Sequence, residues 1–262
     1  MIVNSRLSRA LYVHWPFCKA KCPYCDFNSH VRDGVDAEAW QAALITEMRF
    51  IAAQAEPHKP LGSIFFGGGT PSLMPPLLVE ALLRESEACF GWEDGIEVTL
   101  EANPTSAEVE RFRAYRAAGI NRLSLGIQSL RAEELAFLGR EHSADEALRA
   151  LEMANAVFDR TSFDLIYALP QQTVAQWEAA LREALPWMRG HTSLYQLTIE
   201  PGTQFYHQFH AGKWILPEED VLAEFYEVTQ AVMEAAGMPA YETSNHASAG
   251  QASRHNMAYW TG

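Results

Sequence analysis

Cysteine is scarce, 4 in 262 residues, too few and too crowded for the disulfide framework of a small secreted domain. Long apolar runs are missing too. No stretch reaches the length of a membrane span, and the opening "MIVNSRLSRA" leads into a strand-like segment without the apolar region of a signal peptide. These absences lead to the expectation of a cytoplasmic protein. Basic residues are few, 20 Lys and Arg against 33 Asp and Glu for a net charge of -13, which disfavours a nucleic-acid surface built on phosphate neutralisation. A local basic groove stays open. Solenoid-type repeats and low-complexity segments are absent. What is present is ordinary globular material, 48% hydrophobic side chains, long enough for one α/β barrel or two smaller domains.

Short β-branched or aromatic runs alternate with helical patterns. Strands are expected at Leu11 to His14, Ser63 to Phe66, Glu97 to Glu101, Arg122 to Gly126, Ser162 to Tyr167 and Ser193 to Ile199. Helices are expected near Asp36 to Ala55, Leu77 to Cys89, Ser106 to Ala118, Ser143 to Ala156 and Val174 to Met188. Such β, α alternation implies a parallel sheet with right-handed crossovers, open or closed into a barrel. Beyond about Pro201 the alternation loosens.

Parallel α/β folds place ligands at the carboxyl ends of their strands, and unusual chemistry stands at each such end. The first carries Cys18, Cys22 and Cys25; the second "GGGTPS"; the third "EANP"; the fourth "GIQS"; the fifth "DLIYALPQQT", opened by Asp164. Three thiolates on one compact loop can hold iron or zinc. A zinc loop would take a fourth ligand such as His14 or His30, and three unrelated core thiols are the plain alternative. Cys89, alone on an amphipathic helix, reads as core. The glycines let backbone approach a ligand, or serve a tight turn at positive φ.

CxxxCxxC followed at once by an aspartate and an aromatic residue, then GGGTP, "EANP", "RLSLGIQS", "LGREHS" and "DLIYALPQQT" in that order, resembles the radical S-adenosylmethionine superfamily. The branch it resembles is that of oxygen-independent coproporphyrinogen III oxidases and HemW heme chaperones. The resemblance implies an α/β fold, a partial TIM-like barrel of six βα units. The barrel core would occupy residues 1–200 with the cluster loop at 18–25, and residues 201–262 would flank it. It also implies a [4Fe-4S] cluster on Cys18, Cys22 and Cys25, whose remaining iron binds the amino and carboxylate groups of S-adenosylmethionine. Around that cofactor the family places a loop matching Gly67, Gly68, Gly69 and Thr70, polar contacts matching Glu101, Gln128, Arg140 and Asp164, and aromatic positions matching Tyr12 and Tyr24.

Within the branch, the oxidase pattern carries a further cysteine two residues after the third ligand, where this chain has Phe27. That departure favours the chaperone. "SRHNMAYW" resembles the HNxxYW element of HemW proteins, so His255, Asn256, Tyr259 and Trp260 are candidate heme contacts, and His246 of "SNHAS" is an incidental loop histidine or a further one. The chain stops at "YWTG", where the family continues into another domain, expected here to be truncated or absent. The function implied is binding of heme and its transfer to heme-dependent respiratory proteins, with a flavodoxin or ferredoxin as electron donor if the cluster is reduced, and peripheral membrane contact during delivery. The enzyme alternative is radical decarboxylation of coproporphyrinogen III. A methylthiotransferase acting on RNA is disfavoured by the acidic charge and the lack of a second cysteine cluster.

Overall fold

A computed structural model describes residues 9–55 and 59–261. The segment read above for a signal peptide lies mostly outside them. Along the chain run β1 (Arg9–Trp15), β2 (Phe17–Cys18), β3 (His30–Val31), α1 (Ala37–Gln54), β4 (Leu61–Gly68), α2 (Pro76–Phe90), β5 (Trp92–Ala102), α3 (Ser106–Val109), α4 (Phe112–Ala118) and β6 (Arg122–Gln128). Then come α5 (Ala132–Phe137), α6 (Ala144–Val157), β7 (Arg160–Tyr167), α7 (Val174–Ala184), β8 (His191–Gln196), α8 (Gln204–His210), α9 (Glu219–Ala235), β9 (Asn245–Ala247) and α10 (Arg254–Thr261).

Seven strands form one sheet in the order β1-β4-β5-β6-β7-β8-β9. Its first six are parallel, and β9 pairs antiparallel with β8. All six expected strands are therefore present, in the sequential order that helical crossovers produce. The sheet does not close: β1 and β9 remain edges.

Side chains alternate across each strand, and the two faces differ in chemistry. Val98, Leu100, Leu123, Leu125, Phe163 and Leu194 are buried in the main apolar core. The helices cover that face. On α6, Ala147, Ala150, Leu151 and Ala154 share one buried stripe at helical spacing, and a capping box between Ser143 and Glu146 starts it. Thr173 and Gln176 form the same device on α7. The alternate positions Glu97, Thr99, Arg122, Ser124, Ser162, His191 and Ser193 are polar and buried. They line the concave face. A buried polar group must find partners, and these do: Arg160 pairs with Glu97, Ser162 Oγ lies 2.7 Å from His191 Nδ1, and Arg122 reaches His191 at 3.2 Å.

Three expectations need correcting. The helix expected over Ser106 to Ala118 breaks into α3 and α4, because Glu108 turns inward and accepts hydrogen bonds from the Asn103 N–H, Thr105 Oγ1 and Ser72 Oγ. The strand expected to reach Ile199 ends at Gln196, and starts earlier, at His191. His246, read as a loop histidine, is a buried residue of β9.

α9 packs its Phe225, Thr229 and Val232 stripe toward the sheet, and Trp177 Nε1 of α7 donates to Thr229 Oγ1 at 2.7 Å. α10 sits across the amino end of the sheet. Arg254 donates to the Gly95 carbonyl, the Ser253 hydroxyl and His255 N–H approach Glu97, and Ser63 Oγ meets His255 Nδ1 at 3.3 Å. The concave face is thus floored at one end and open at the other.

Candidate active site

At the open, carboxyl end lies a cleft of about 570 Å³ lined by Cys18, Cys22, Tyr24, Cys25, Gly68, Gly69, Thr70, Glu101, Gln128, Arg140 and Asp164, among others. Elements distant in sequence converge there because the parallel strands end on one rim. Of the residues expected at the cofactor site, Gly67 and Tyr12 are not in the lining. A Cβ on Gly67 would fall 2.8 Å from the Tyr12 ring, so the tyrosine fills the space the glycine leaves. Its ring stacks on Phe65.

The other two glycines are also dictated by neighbours. Gly68 has a φ of 115°, which favours glycine, and a Cβ there would strike the His14 ring at 2.7 Å. Gly69 needs bareness rather than turn freedom, since its Cβ would meet the Phe17 carbonyl at 2.8 Å and Cys18 Sγ at 3.0 Å. The Gly69 and Thr70 N–H groups donate to the Trp15 and Phe17 carbonyls at 2.7 and 2.9 Å. The glycine loop is therefore clamped onto the cysteine loop.

All four cysteines are free thiols. Among the described residues no group of three His, Cys, Asp or Glu converges on a single ion; in a cubane cluster each thiolate binds a different iron, so convergence on one point is not required. Neither histidine considered for zinc points its chemistry at the thiols. His14 bridges Tyr12 OH at 3.2 Å and the Asn28 carbonyl at 2.9 Å, and His30 Nε2 meets Asn28 Oδ1 at 3.2 Å. The loop's far side is anchored too, by the Phe205 N–H on the Pro23 carbonyl at 2.8 Å.

Arg140 is the cation nearest the thiols. Nη1 donates to Cys22 Sγ at 3.2 Å, and Nη2 donates to Asn103 Oδ1 at 2.5 Å and the Gly126 carbonyl at 2.6 Å. Its Nε is buried without a hydrogen-bond partner among the described residues. Gln128 has a φ of 72°, a conformation that costs a non-glycine residue on the order of 1–3 kcal/mol and collects at binding sites. Hydrogen bonds to cluster sulfurs raise a reduction potential. With the cluster in place, Arg140→Met is expected to lower the midpoint, making reduction about tenfold less favourable, or roughly 59 mV for one electron. A spectroscopic redox titration checks it.

Two carboxylates complete the cleft. Burial, reinforced by the charge of Asp164, pushes Glu101 up to about 8. Burial likewise raises Asp164 to about 6, against a hydrogen bond from Ser193 and the charges of Arg122 and Arg140. Burial also holds Tyr24 protonated beside Arg140 and Cys22. Several lining residues were not anticipated from the sequence, among them Asn103, Tyr195, Thr243 and Ser244. Asn103 stood in the quoted "EANP"; the last two come from a stretch with no strand ahead of it to mark a rim.

His255, Asn256, Tyr259 and Trp260 are elsewhere, on α10 at the floored end. The His255 ring is 3% exposed, stacked on Phe65 with centroids 4.9 Å apart. Burial lowers its pKa to about 4, so it is neutral at pH 7, and its Nε2 has no hydrogen-bond partner among the described residues. Asn256 Nδ2 donates to Tyr241 OH at 3.1 Å. Tyr259 and Trp260 are exposed.

Comparison with known proteins agrees with this geometry. The family model "Radical SAM superfamily" matches residues 12–184. The chain is 45% identical over 252 residues to the mouse "Radical S-adenosyl methionine domain-containing protein 1, mitochondrial", covering 96% of this chain and 57% of that one. It is 41% identical to "Heme chaperone HemW" of Haemophilus influenzae, covering 96% and 66%. Among solved structures, coproporphyrinogen III oxidase (HemN) from Escherichia coli superposes with a TM-score of 0.79 at 25% identity, covering 94% of this chain and 57% of that one. The chain thus spans about 57–66% of the length of these relatives. It belongs to the radical SAM superfamily, in the family shared by the HemW heme chaperones and coproporphyrinogen III oxidase.

Proposed function

We propose that this chain is the S-adenosylmethionine-binding part of a heme chaperone that passes heme to respiratory proteins. Cys18, Cys22 and Cys25 hold a [4Fe-4S] cluster; Gly68, Gly69 and Thr70 shape the backbone beside it. Glu101, Gln128, Arg140 and Asp164 supply the polar contacts to S-adenosylmethionine, with Tyr24 beneath, while Tyr12 and Gly67 support the loop from behind. When bound, the cluster supplies an electron to S-adenosylmethionine. The chain's own part is to orient a charged cofactor in a one-ended cleft and to keep Glu101 available as a proton donor or acceptor near neutral pH.

The single observation that carries this reading is the convergence of three free thiols, a clamped glycine loop and two shifted carboxylates on one cleft, in a chain 41% identical to a HemW heme chaperone. Heme is the cargo, and the α10 residues His255, Asn256, Tyr259 and Trp260 border its site. A flavodoxin or ferredoxin serves as electron donor. No helix of the described residues is long and apolar enough to cross a membrane, which fits work in the cytoplasm with peripheral contact at delivery. Residues 201–262 act as a flanking segment of a barrel core formed by residues 1–200.

Decarboxylation of coproporphyrinogen III is the second reading, favoured by the superposition on HemN. Phe27 speaks against it: 57% exposed, it lies on the cleft lining where the oxidase pattern has a cysteine. An anaerobic heme titration of the cluster-reconstituted protein separates the two. Saturable one-to-one binding without coproporphyrinogen turnover is expected. Turnover without specific heme binding would reverse the assignment.

A further inference from the structure

Two residues beyond Arg140, His142 is buried, with its Nε2 3.0 Å from the Ile127 carbonyl. A carbonyl only accepts, so Nε2 carries the ring proton and this bond fixes the tautomer. Burial and the charge of Arg140 lower the pKa of the ring to about 4. His142 is therefore a neutral donor at pH 7.

The bond falls where β6 leaves its ladder. Gly126 pairs with Asp164 and Gln128 with Leu165, so Ile127 is the extra residue of a bulge, and Gln128 follows it at a φ of 72°. Such a conformation persists only where the surroundings over-determine it, and here they do. The Ile127 side chain is buried in the main core, its carbonyl is held by His142, and the Gly126 carbonyl before it is held by Arg140 Nη2 at 2.6 Å. One short segment, Arg140 to His142, thus grips two consecutive carbonyls of the bulge.

Gln128 folds back over Gly126. A Cβ on Gly126 would fall 3.0 Å from Gln128 Nε2 and 3.5 Å from Arg140 Nη2, so the missing side chain leaves room for the amide. Gly126 itself has no positive φ to require a glycine. Gln128 lines the cleft, and its amide forms no hydrogen bond with a described residue. Its donors and acceptor are left for a ligand.

We propose that His142 is a positioning residue of the cofactor site, holding the β6 bulge so that the Gln128 amide lies over Gly126 and meets S-adenosylmethionine. The proposal rests on the reading of this cleft as the S-adenosylmethionine site.

The test is an anaerobic calorimetric titration of S-adenosylmethionine into the cluster-reconstituted parent, His142→Ala, His142→Gln, Gln128→Ala, Gly126→Ala and the variant carrying both His142→Ala and Gln128→Ala. Far-UV circular dichroism and iron and sulfide content are measured on each. His142→Ala is expected to keep its cluster and bind about tenfold more weakly, the worth of one buried hydrogen bond. His142→Gln, which can still give an N–H to the Ile127 carbonyl, is expected to recover most of that loss. A residue that acts through another adds little once the other is gone, so in the Gln128→Ala background His142→Ala is expected to cost no more than about twofold. Gly126→Ala, whose methyl takes the place of the amide, decides if His142→Ala loses its cluster: several-fold weakening upholds the proposal, and parent-like binding overturns it. Parent-like binding by His142→Ala or Gln128→Ala, or a full further loss in the double variant, also overturns it while leaving the cofactor cleft standing. Absence of saturable binding by the parent overturns both.

Discussion

Cys22→Ser is expected to strip the protein of its cluster, and with it S-adenosylmethionine binding. Each thiolate serves a different iron, so loss of one leaves two anchors on a loop whose geometry was fixed for three. The Gly69 and Thr70 hydrogen bonds to the Trp15 and Phe17 carbonyls and the anchoring of Pro23 by Phe205 prevent the loop from rearranging around a smaller set. Iron content should fall from about four per chain to near zero, with loss of acid-labile sulfide and of visible charge-transfer absorption. Cys18→Ser and Cys25→Ser should behave alike. Cys89, on α2 beside Glu85 with Sγ 3.4 Å from its carboxylate, is the control: Cys89→Ser should retain the full complement. A full complement in Cys22→Ser would remove the cysteine loop from the site.

Glu101→Gln is expected to stabilise the unloaded protein at alkaline pH while weakening S-adenosylmethionine binding by tenfold or more. Glu101 titrates near 8 in the folded protein against an ordinary 4.5, and Asp164 near 6 against 3.8. Folding therefore keeps a proton that the unfolded chain has already released. Stability is greatest below the unfolded values and falls as pH rises, between about 4.5 and 8 for Glu101, by at most about 1.4 kcal/mol per pH unit for each such proton. The cleft admits solvent, so the whole loss at Glu101 is on the order of 2 kcal/mol. Glutamine keeps the shape and removes the titration. Urea unfolding at pH 5, 6.5 and 8.5 should show the parent losing stability across the series and Glu101→Gln losing less. Parallel profiles would mean that Glu101 is solvated well enough to ionise freely. The same variant lacks the charge that the cofactor meets, so stability and binding should move in opposite directions, the usual relation at a site built for function.

Much of this was legible beforehand because strand ends are where the sequence changes character. Six strands, five helical regions and the rim they share follow from periodicity, and the cysteine spacing marks the loop. The polar lining of the concave face was harder to see. In "IEVTLEA" and "RLSLGIQ" the alternation of polar and apolar residues is plain, but a buried parallel strand is expected to be apolar throughout, and polar alternation ordinarily signals solvent. Here it signals an interior. Glu108 was invisible for a related reason: an acidic residue in a helical pattern reads as surface, and only the structure brings Ser72 and Asn103 to it. The role of α10 illustrates the limit of motif reading. "HNMAYW" pointed to a set of heme contacts, yet folding buries His255 against the sheet and leaves Tyr259 and Trp260 exposed, Tyr259 lying one turn on along the same face with its ring edge-on to His255 at 5.3 Å.

The floor that α10 lays across the sheet has a consequence for how the protein is made. Its hydrogen bonds join Ser63 to His255, 192 residues apart, and Glu97 to Ser253, 156 apart. Contacts this distant in sequence form late, and a chain emerging from the ribosome has its cysteine loop complete long before the residues that floor the sheet behind it. During that interval the polar lining stands open to water from both ends, and Glu97 lacks its Ser253 and His255 partners. Chains stalled before Arg254 should therefore hold the strands less firmly at their amino end and be cut there more readily by a protease than the finished fold.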